Sequence, residues 1–294
     1  MPISASPSRC TSASDRAGPD ALHDFVRAHP RLFVLTGAGI STDSGIPGYR
    51  DAQGRWMRAP PVLLHDFLHS ETARRRYWAR SMVGWPLVFG AHPNAAHRAL
   101  ARLEAAGTVR QLVTQNVDGL HQRAGHAQVI ELHGNIGRAV CLDCGADHTR
   151  DSIQRRLEAE NGILESAPVA AAADGDADVE CPQPEFRVPA CPRCAGMLKP
   201  DVVFFGEAVP KARIDAAMQA LERSDAMLVV GSSLMVYSGY RFCLRAAELR
   251  RPIAAVNLGQ TRADCLLALK VERPCTEALA GLADALAINW QHLA

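Results

Sequence analysis

The sequence is poor in aromatic residues, nearly free of net charge, and without a long apolar run. Aromatic residues make up 5% of the 294 residues, and 32 basic residues stand against 31 acidic ones. That balance gives no electrostatic reason to expect nucleic acid or an anionic membrane as a partner. No run of about eighteen apolar residues occurs, so no membrane-spanning helix is expected. The N-terminus has no apolar core of a secretory signal. Residues 1–19 read as a disordered N-terminus rich in Ser, Pro and Ala, and Asp15 with Asp20 argues against a transit peptide. The expected setting is a bacterial cytoplasm, with a mitochondrial matrix as the alternative, and the expected state is a monomer.

What is present begins with periodicity. Short apolar runs at 31–35, 109–113, 129–132, 226–230 and 253–257 alternate with helical segments. In the segment from His92 to Ala106, for example, Ala96, Ala99, Leu100 and Leu103 share one face. This rhythm predicts an α/β fold, a doubly wound parallel, Rossmann-like sheet. Residues 137–199 break it, so they read as an inserted small zinc-binding domain, flanked in space by a helical module over 60–90. The Rossmann-like domain then comprises 20–136 and 200–294.

The insertion concentrates the cysteines, for four of the chain's nine fall there in two tight pairs. Cys141 with Cys144, and Cys191 with Cys194, each place two thiolates on one turn. Together they predict a closed, tetrahedral, structural Zn²⁺ site in a reducing compartment. Cys181 has no such partner and is left out. Cys10, Cys243 and Cys265 read as bystanders.

Thr36-Gly37-Ala38-Gly39-Ile40-Ser41 follows the first apolar strand. A strand, a Gly-x-Gly turn and a new helix would set free backbone N–H groups at a helix N-terminus, which is a pyrophosphate site. The usual third glycine is replaced by Thr42, and no acid stands at a second strand end to grip a ribose. The cluster Gly45-Ile46-Pro47-Gly48-Tyr49-Arg50-Asp51 cannot continue a helix and predicts a loop beside the cofactor. Other strands end in polar residues: Gln115-Asn116-Val117-Asp118, His133 before Gly134, Gly231-Ser232-Ser233, and Asn257-Leu258-Gly259. In an open parallel sheet these ends lie where ligands bind. An amide and an acid there suit a neutral carboxamide, although an Asn/Asp turn closing a strand reads the same way.

These blocks, taken in order, resemble the sirtuins, the NAD-dependent protein deacylases. The resemblance rests on Gly37 to Ser41 with Ser44 to Pro47 and Tyr49-Arg50, on Thr114 to His121, and on Glu131 to Asn135. It continues through both cysteine pairs, Lys199 to Glu207, and Gly231 to Leu234. It implies that NAD lies against Gly37, Ala38, Gly39, Ser41, Tyr49 and Arg50. Asn116 and Asp118 would hold nicotinamide and its ribose, with Gln115 beside them and Ile46 completing the pocket. Gly231, Ser232, Ser233, Asn257, Gly259 and Cys275 would receive the adenosine half. His133 becomes the general base, aided by Asn116, and an imidazole suits that role because its ordinary pKa is near neutrality. Acyl-lysine would enter as an extended strand along Val203, Phe204, Gly206 and Glu207 on one side and Leu234 to Tyr237 on the other. The products would be nicotinamide, free lysine and O-acyl-ADP-ribose. The stretch from Tyr77 through Gly84-Trp85-Pro86 further resembles class II sirtuins, the group of mitochondrial sirtuin four. Tyr77 and Arg80 share a helical face and would read the acyl group. The same residues would also serve a protein ADP-ribosyltransferase, and a non-catalytic zinc-ribbon binding module is the remote alternative.

Overall fold

The computed structural model describes residues 19–48, 55, 62–162 and 185–282. The N-terminal segment 1–18, the loop residues Tyr49 and Arg50, and Cys181 with the Ala/Asp-rich stretch lie outside the described residues. The elements in chain order are helix α1 (Pro19–Ala28), strand β1 (Leu32–Thr36), helices α2 (Leu64–His69), α3 (Glu71–Gly90) and α4 (Ala95–Ala105), strand β2 (Val109–Thr114) and helix α5 (Leu120–Arg123). There follow β3 (Val129–Glu131), β4 (Gly134–Cys141), β5 (Asp147–Thr149), α6 (Arg150–Asn161) and β6 (Leu198–Val202). The chain continues through α7 (Lys211–Glu222), β7 (Ala226–Val230), α8 (Tyr237–Glu248), β8 (Ile253–Val256), β9 (Leu269–Val271) and α9 (Cys275–Leu279).

Six strands form one sheet in the order β3-β2-β1-β7-β8-β9, and each neighbouring pair is parallel. All five residues of β1 are buried, which is why it reads as a continuous apolar run and not as an alternation. Its side chains divide between two cores. Leu32 and Val34 pack with Leu22 of α1, Leu100 of α4 and Leu279 of α9. Phe33 and Leu35 pack with Leu221 of α7 and Phe242 of α8 on the opposite face. Helices on both faces make the sheet doubly wound, as the alternation of elements predicts. The strand order reverses between β1 and β7, so the ligand crevice of such a fold falls at their carboxyl ends.

A second sheet, β5-β4-β6, is antiparallel and belongs to the insertion. It is slightly wider than 137–199, since β4 begins at Gly134 and β6 ends at Val202. Trp78, Met82 and Trp85 of α3 pack onto it with Ile153 and Leu157 of α6. Arg150 is fully buried there, its guanidinium 5.7 Å from the Trp78 ring and 5.3 Å from the Trp85 ring. One Arg150 nitrogen donates to the Ser81 carbonyl at 3.0 Å. The helical module foreseen over 60–90 is therefore α2 and α3, and it shares one core with the insertion. Among the described residues, no helix is long and apolar enough to cross a membrane.

Beneath the β1–β2 ends sits a stack of buried imidazoles. The His97 and His121 rings are 4.8 Å apart and those of His121 and His126 are 5.1 Å apart. Burial disfavours the charged form of each: His97 is lowered from 6.5 to about 4, His121 lies well below 6.5, and His126 is lowered despite Glu104 at 3.0 Å. Their folded pKa values lie below the unfolded value, so the stability they contribute is present above pH 6.5 and is lost as pH falls toward 4. His97 alone corresponds to roughly 2 kcal/mol at pH 5. Thermal unfolding should therefore occur at clearly lower temperature at pH 5 than at pH 7. A melting temperature that is flat across this interval would show that the stack is not kept neutral.

Candidate active site

The strand ends at the switch point are locked together by glycines. A Cβ on Gly37 would stand 2.7 Å from Ser232 Cβ, and one on Gly39 would stand 2.9 Å from Gly231 Cα. Gly231, at φ +63°, could carry no Cβ without meeting Ile40 N at 2.3 Å. Gly37 N–H donates to the Val230 carbonyl at 3.1 Å, and Gly39 N–H to the Gly231 carbonyl at 2.8 Å. The turn after β1 thus differs from the expected one. No long helix starts at Gly39. Two 3-10 turns follow instead, Ala38–Ile40 and Thr42–Ser44, and the N–H groups of Gly37 and Gly39 are spent on the neighbouring strand end. Gly45, at φ +85°, ends the second turn in the left-handed region open to glycine. The close approach of two loops takes the place of the free helix N-terminus.

Around this crossing lies a cavity of about 1160 Å³. Small-ligand sites are usually about 300–1,000 Å³, so there is room for a dinucleotide together with a segment of substrate. Its walls include Gly37, Ala38, Gly39, Ser41, Ile46, Gln115, Asn116, Asp118, His133, Gly231, Ser232, Ser233, Asn257 and Cys275. Val203, Phe204, Gly206, Glu207 and Tyr77 line it as well. Two expected residues are not brought to it. Gly259 is absent from the wall although Leu258 and Gln260 on either side are present. Arg80 is also absent, because Tyr77 alone turns toward the cavity, edge-on to Phe67 with ring centroids 5.4 Å apart and 5.3 Å from Phe204. Of this pair, Tyr77 lines the cavity and Arg80 does not line it among the described residues.

The polar floor is a short hydrogen-bonded chain. Asn116 Nδ2 donates to Ser41 Oγ at 3.1 Å, and Ser41 Oγ donates to Asp118 Oδ2 at 2.7 Å. Leu120 N–H donates to Asp118 Oδ1 at 2.9 Å. Burial raises the Asp118 pKa, and the bonds from Leu120 and Ser41, the charge of Arg123 and the Asn116 amide counter that shift. Gln115 Oε1 accepts from Ser232 Oγ at 2.6 Å, tying the β2 end to the β7 end. Cys275 is buried and its thiol is pushed up to about 12 by burial, so it stays protonated.

His133 stands between the two sheets. Its Nδ1 is 2.9 Å from the Gln115 carbonyl and its Nε2 is 2.8 Å from Ser238 Oγ. A carbonyl only accepts, so Nδ1 carries the ring proton and Nε2 presents a lone pair. Burial lowers His133 from 6.5 to about 4. Its ordinary near-neutral pKa, the reason first given for its suitability, is thus not the one it has here. The ring is neutral and basic at pH 7 because it is buried. Its own carbonyl accepts from Val203 N–H at 2.8 Å. Glu207 is likewise engaged: its Oε2 accepts from Phe204 N–H at 2.8 Å and lies 3.0 Å from Lys199 Nζ. Sequence reasoning missed Lys199 and Ser238. A lysine inside an apolar strand and a serine opening a helix carry no signal by themselves.

At the far end of the insertion the four cysteines converge. Cys141 Sγ is 3.5 Å from Cys194 Sγ, Cys144 Sγ is 3.8 Å from Cys191 Sγ, and all four sulfurs lie within 4.8 Å of one another. Four thiolates about 2.3 Å from a tetrahedral Zn²⁺ stand about 3.8 Å apart, so the set fits zinc. Each pair closes on a left-handed residue, Gly145 at φ +68° and Ala195 at φ +59°. Gly196 has a different task, for a Cβ there would meet the Asp143 carboxylate at 2.1 Å. Of the cysteines read as bystanders, Cys243 is buried in the core, whereas Cys265 is disulfide-bonded. Replacing Cys144 or Cys194 by Ser should release zinc and unfold the small module, because structural zinc binding contributes roughly 10 kcal/mol or more. Metal analysis of the wild-type protein that finds no zinc would refute this assignment.

The model of the Sir2 family matches residues 37–238. The chain is 57% identical over 261 residues to an NAD-dependent protein deacetylase of Bordetella bronchiseptica, covering 88% of this chain and 95% of that one. It is 56% identical over 263 residues to NAD-dependent protein deacetylase 2 of Bradyrhizobium diazoefficiens, covering 89% and 96%. Among solved structures it resembles a Sir2–p53 peptide–NAD⁺ complex with a TM-score of 0.74 and 29% identity, over 92% of this chain and all of the other. A Sir2 bound to acetylated peptide matches with a TM-score of 0.71 at the same identity and the same coverage.

Proposed function

The chain belongs to the Sir2 family, and on that footing we propose that it removes acyl groups from lysine in an extended peptide, consuming NAD. It is an NAD-dependent protein deacylase of the deacetylase type. The observation that carries the reading is His133, a neutral imidazole fixed at Nδ1 by the Gln115 carbonyl, on the wall of a cavity at the sheet's switch point. When bound, NAD supplies an electrophilic ribose carbon, a nicotinamide leaving group displaced by the acyl oxygen, and ribose hydroxyls that capture the acyl carbon, so that O-acyl-ADP-ribose and free lysine are released.

The chain's own residues divide the remaining work. The crossed loops at Gly37–Ser41 and Gly231–Ser233 frame the pyrophosphate and adenosine half, with Asn257 and Cys275 at the far end. Asn116 and Asp118, cross-linked through Ser41, hold the carboxamide beside Ile46. His133 Nε2 takes the proton of a ribose hydroxyl. The peptide lies along Val203 to Glu207, where the Lys199–Glu207 pair fixes the turn. The four cysteine thiolates hold zinc as a cross-link, away from the reacting atoms.

The finer reading is a class II sirtuin, supported by the residues from Tyr77 to Pro86. The cavity wall near Tyr77 includes Phe204, Ile46, Val62 and Val117, which favours a neutral acyl tip over an acidic one. A bacterial cytoplasm is the proposed setting, resting on the absence of an apolar leader core and on the paired cysteines in the sequence. A panel of differently acylated peptides with NAD, followed by intact mass, tests the reading. Loss of the acyl mass supports deacylation, and a gain of ADP-ribose on protein would favour transfer instead.

His133→Ala should keep the fold and lose turnover by about a hundredfold or more, the range for a general base. The pH profile gives a second check. Since the His133 pKa is lowered to about 4, its base form persists well below neutrality. The acid limb of kcat/KM should therefore fall below pH 6, and a midpoint near 6.5 would show that burial does not govern this imidazole.

A further inference from the structure

Both ring nitrogens of His133 are occupied. Nδ1–H donates to the Gln115 carbonyl at 2.9 Å, and Nε2 accepts from Ser238 Oγ at 2.8 Å. Ser238 is 8% exposed and lines the cavity beside His133. It sits in the first turn of α8, and that turn is wedged in place. A Cβ on the next residue, Gly239, would stand 2.5 Å from Gln115 Nε2. Gln115 cannot yield easily, because its Oε1 accepts from Ser232 Oγ and its backbone N–H donates to the Thr36 carbonyl at 2.9 Å. The residue that orients the base and the residue that covers it are thus packed against each other. The imidazole cannot rotate away without breaking the Gln115 bond. The backbone that carries Ser238 cannot shift toward Gln115, because Gly239 already lies against that side chain. With Nε2 engaged by Ser238 Oγ, and Ser238 itself on the cavity wall, this hydroxyl is a hydrogen-bonded route between that nitrogen and a hydroxyl in the cavity.

We propose that Ser238 is the proton relay between the reacting hydroxyl of the bound ribose and His133 Nε2. The proposal rests on the deacylase reading above. A serine hydroxyl donates through its hydrogen while accepting through its oxygen, so it can serve both neighbours at once. In the step, the substrate O–H bond breaks and its proton passes to Ser238 Oγ. The proton that Ser238 held moves to His133 Nε2. Serine is regenerated unchanged, the imidazole becomes imidazolium, and the electron pair stays on the substrate oxygen. Nothing is oxidised or reduced, and no other reactant is required. The Gln115 carbonyl, bonded to Nδ1–H, stabilises the imidazolium that results.

The test has one arm without cofactor and one with it. In the cofactor-free protein, the ¹⁵N resonance of His133 Nε2 should show a neutral nitrogen accepting a hydrogen bond. Ser238→Ala should move it to the position of a free acceptor, and Ser238→Thr should restore it. In turnover on an acetylated peptide, Ser238→Ala should lower kcat by roughly tenfold to a hundredfold, toward the lower end of what proton transfer contributes. Nicotinamide exchange should survive, because it precedes the proton step, and Ser238→Thr should recover most of the rate. In mixtures of light and heavy water, wild-type kcat should follow a curve, as two protons in flight require. An unchanged kcat in Ser238→Ala, or a linear wild-type dependence, would overturn the relay. Equal losses in turnover, nicotinamide exchange and peptide binding would overturn it too, by showing that Ser238 only supports the helix. Wild-type protein that releases no nicotinamide with any acylated peptide would instead overturn the deacylase reading.

Discussion

Everything at the site depends on how closely two backbone turns approach. β1 and β7 are neighbours at the point where strand order reverses, and their carboxyl-end turns meet through Gly37, Gly39 and Gly231. No side chain fits between them. Contacts of 2.3 to 2.9 Å for a hypothetical Cβ mean that any substitution must push the two strand ends apart. Because the turns touch, Ser232 reaches Gln115, and Gln115 reaches His133. The position of the base is thus set at one remove by the glycines. A crevice of this kind is open above and rigid below, which is what a bound dinucleotide needs if its reacting carbon is to be held against one imidazole.

The rigidity below comes from buried polar contacts that also face the cofactor loop. Thr36 donates to Thr114 at 2.8 Å and lies 2.9 Å from His121 Nε2. Asn94, the cap of α4, accepts from two backbone N–H groups there and donates to the Ile40 carbonyl at 2.7 Å and to Ser44 Oγ at 3.0 Å. The two 3-10 turns are therefore held from beneath by α4 and α5. Polar groups in such a place are costly unless satisfied, and a satisfied network fixes one arrangement in a way that apolar packing does not. The neutral histidines are only partly tied into this network: His97 Nδ1 lies 3.0 Å from Asn94 Oδ1 and His121 Nε2 lies 2.9 Å from Thr36 Oγ1, while His97 Nε2, His121 Nδ1 and His126 Nε2 are buried with no hydrogen-bond partner among the described residues. A charged ring among Thr36, Asn94 and the carbonyls above it would disturb the loop that carries Ala38 and Ser41.

Legibility in the sequence followed burial. β1, β7 and β8 were readable because parallel strands buried on both faces are apolar throughout; β2, with exposed Arg110, and half-buried β3 carry shorter apolar runs that still mark their places. The cysteine pairs were readable because thiolate spacing has few other uses. The small module's antiparallel strands were not, since β5 is three residues long and β6 contains both Lys199 and Pro200. The turn after β1 was misjudged because Gly-x-Gly commonly opens a helix. Here the third position is Thr42, whose hydroxyl donates back to the Gly39 carbonyl at 3.0 Å and closes a tighter turn. Arg80 was placed by helical spacing and by the resemblance of the Tyr77 to Pro86 stretch to class II sirtuins. Three residues rotate a helix by about 300°, so sharing a face broadly does not bring two side chains into one cavity. Ser238 could not be found at all, because its partner His133 is distant in sequence and meets it only through tertiary packing.

The zinc module is more closely coupled to the chemistry than its distance suggests. β4 starts at Gly134, the residue after His133, and ends at Cys141, a zinc-ligand position. β6 starts just beyond Cys194 and ends at Val202, immediately before the peptide-facing loop. The two strands are antiparallel neighbours that pair Gly134 with Val202 at one end and Cys141 with Leu198 at the other. At the catalytic end they cannot separate: a Cβ on Gly134 would stand 2.0 Å from the Asp201 carbonyl oxygen, and Val203 N–H donates to the His133 carbonyl. A short ribbon, about 13 Å along β6 with β4 bulging between Gly134 and Ala139, therefore joins four sulfurs to the base and to the substrate loop. Fixing one end with a metal cross-link removes the freedom to slide, and a one-residue slip would turn every side chain to the other face. Zinc can thus govern the alignment of His133 with Val203 to Glu207 without approaching either. That is why a closed, chemically inert metal site belongs to this active site as part of its framework.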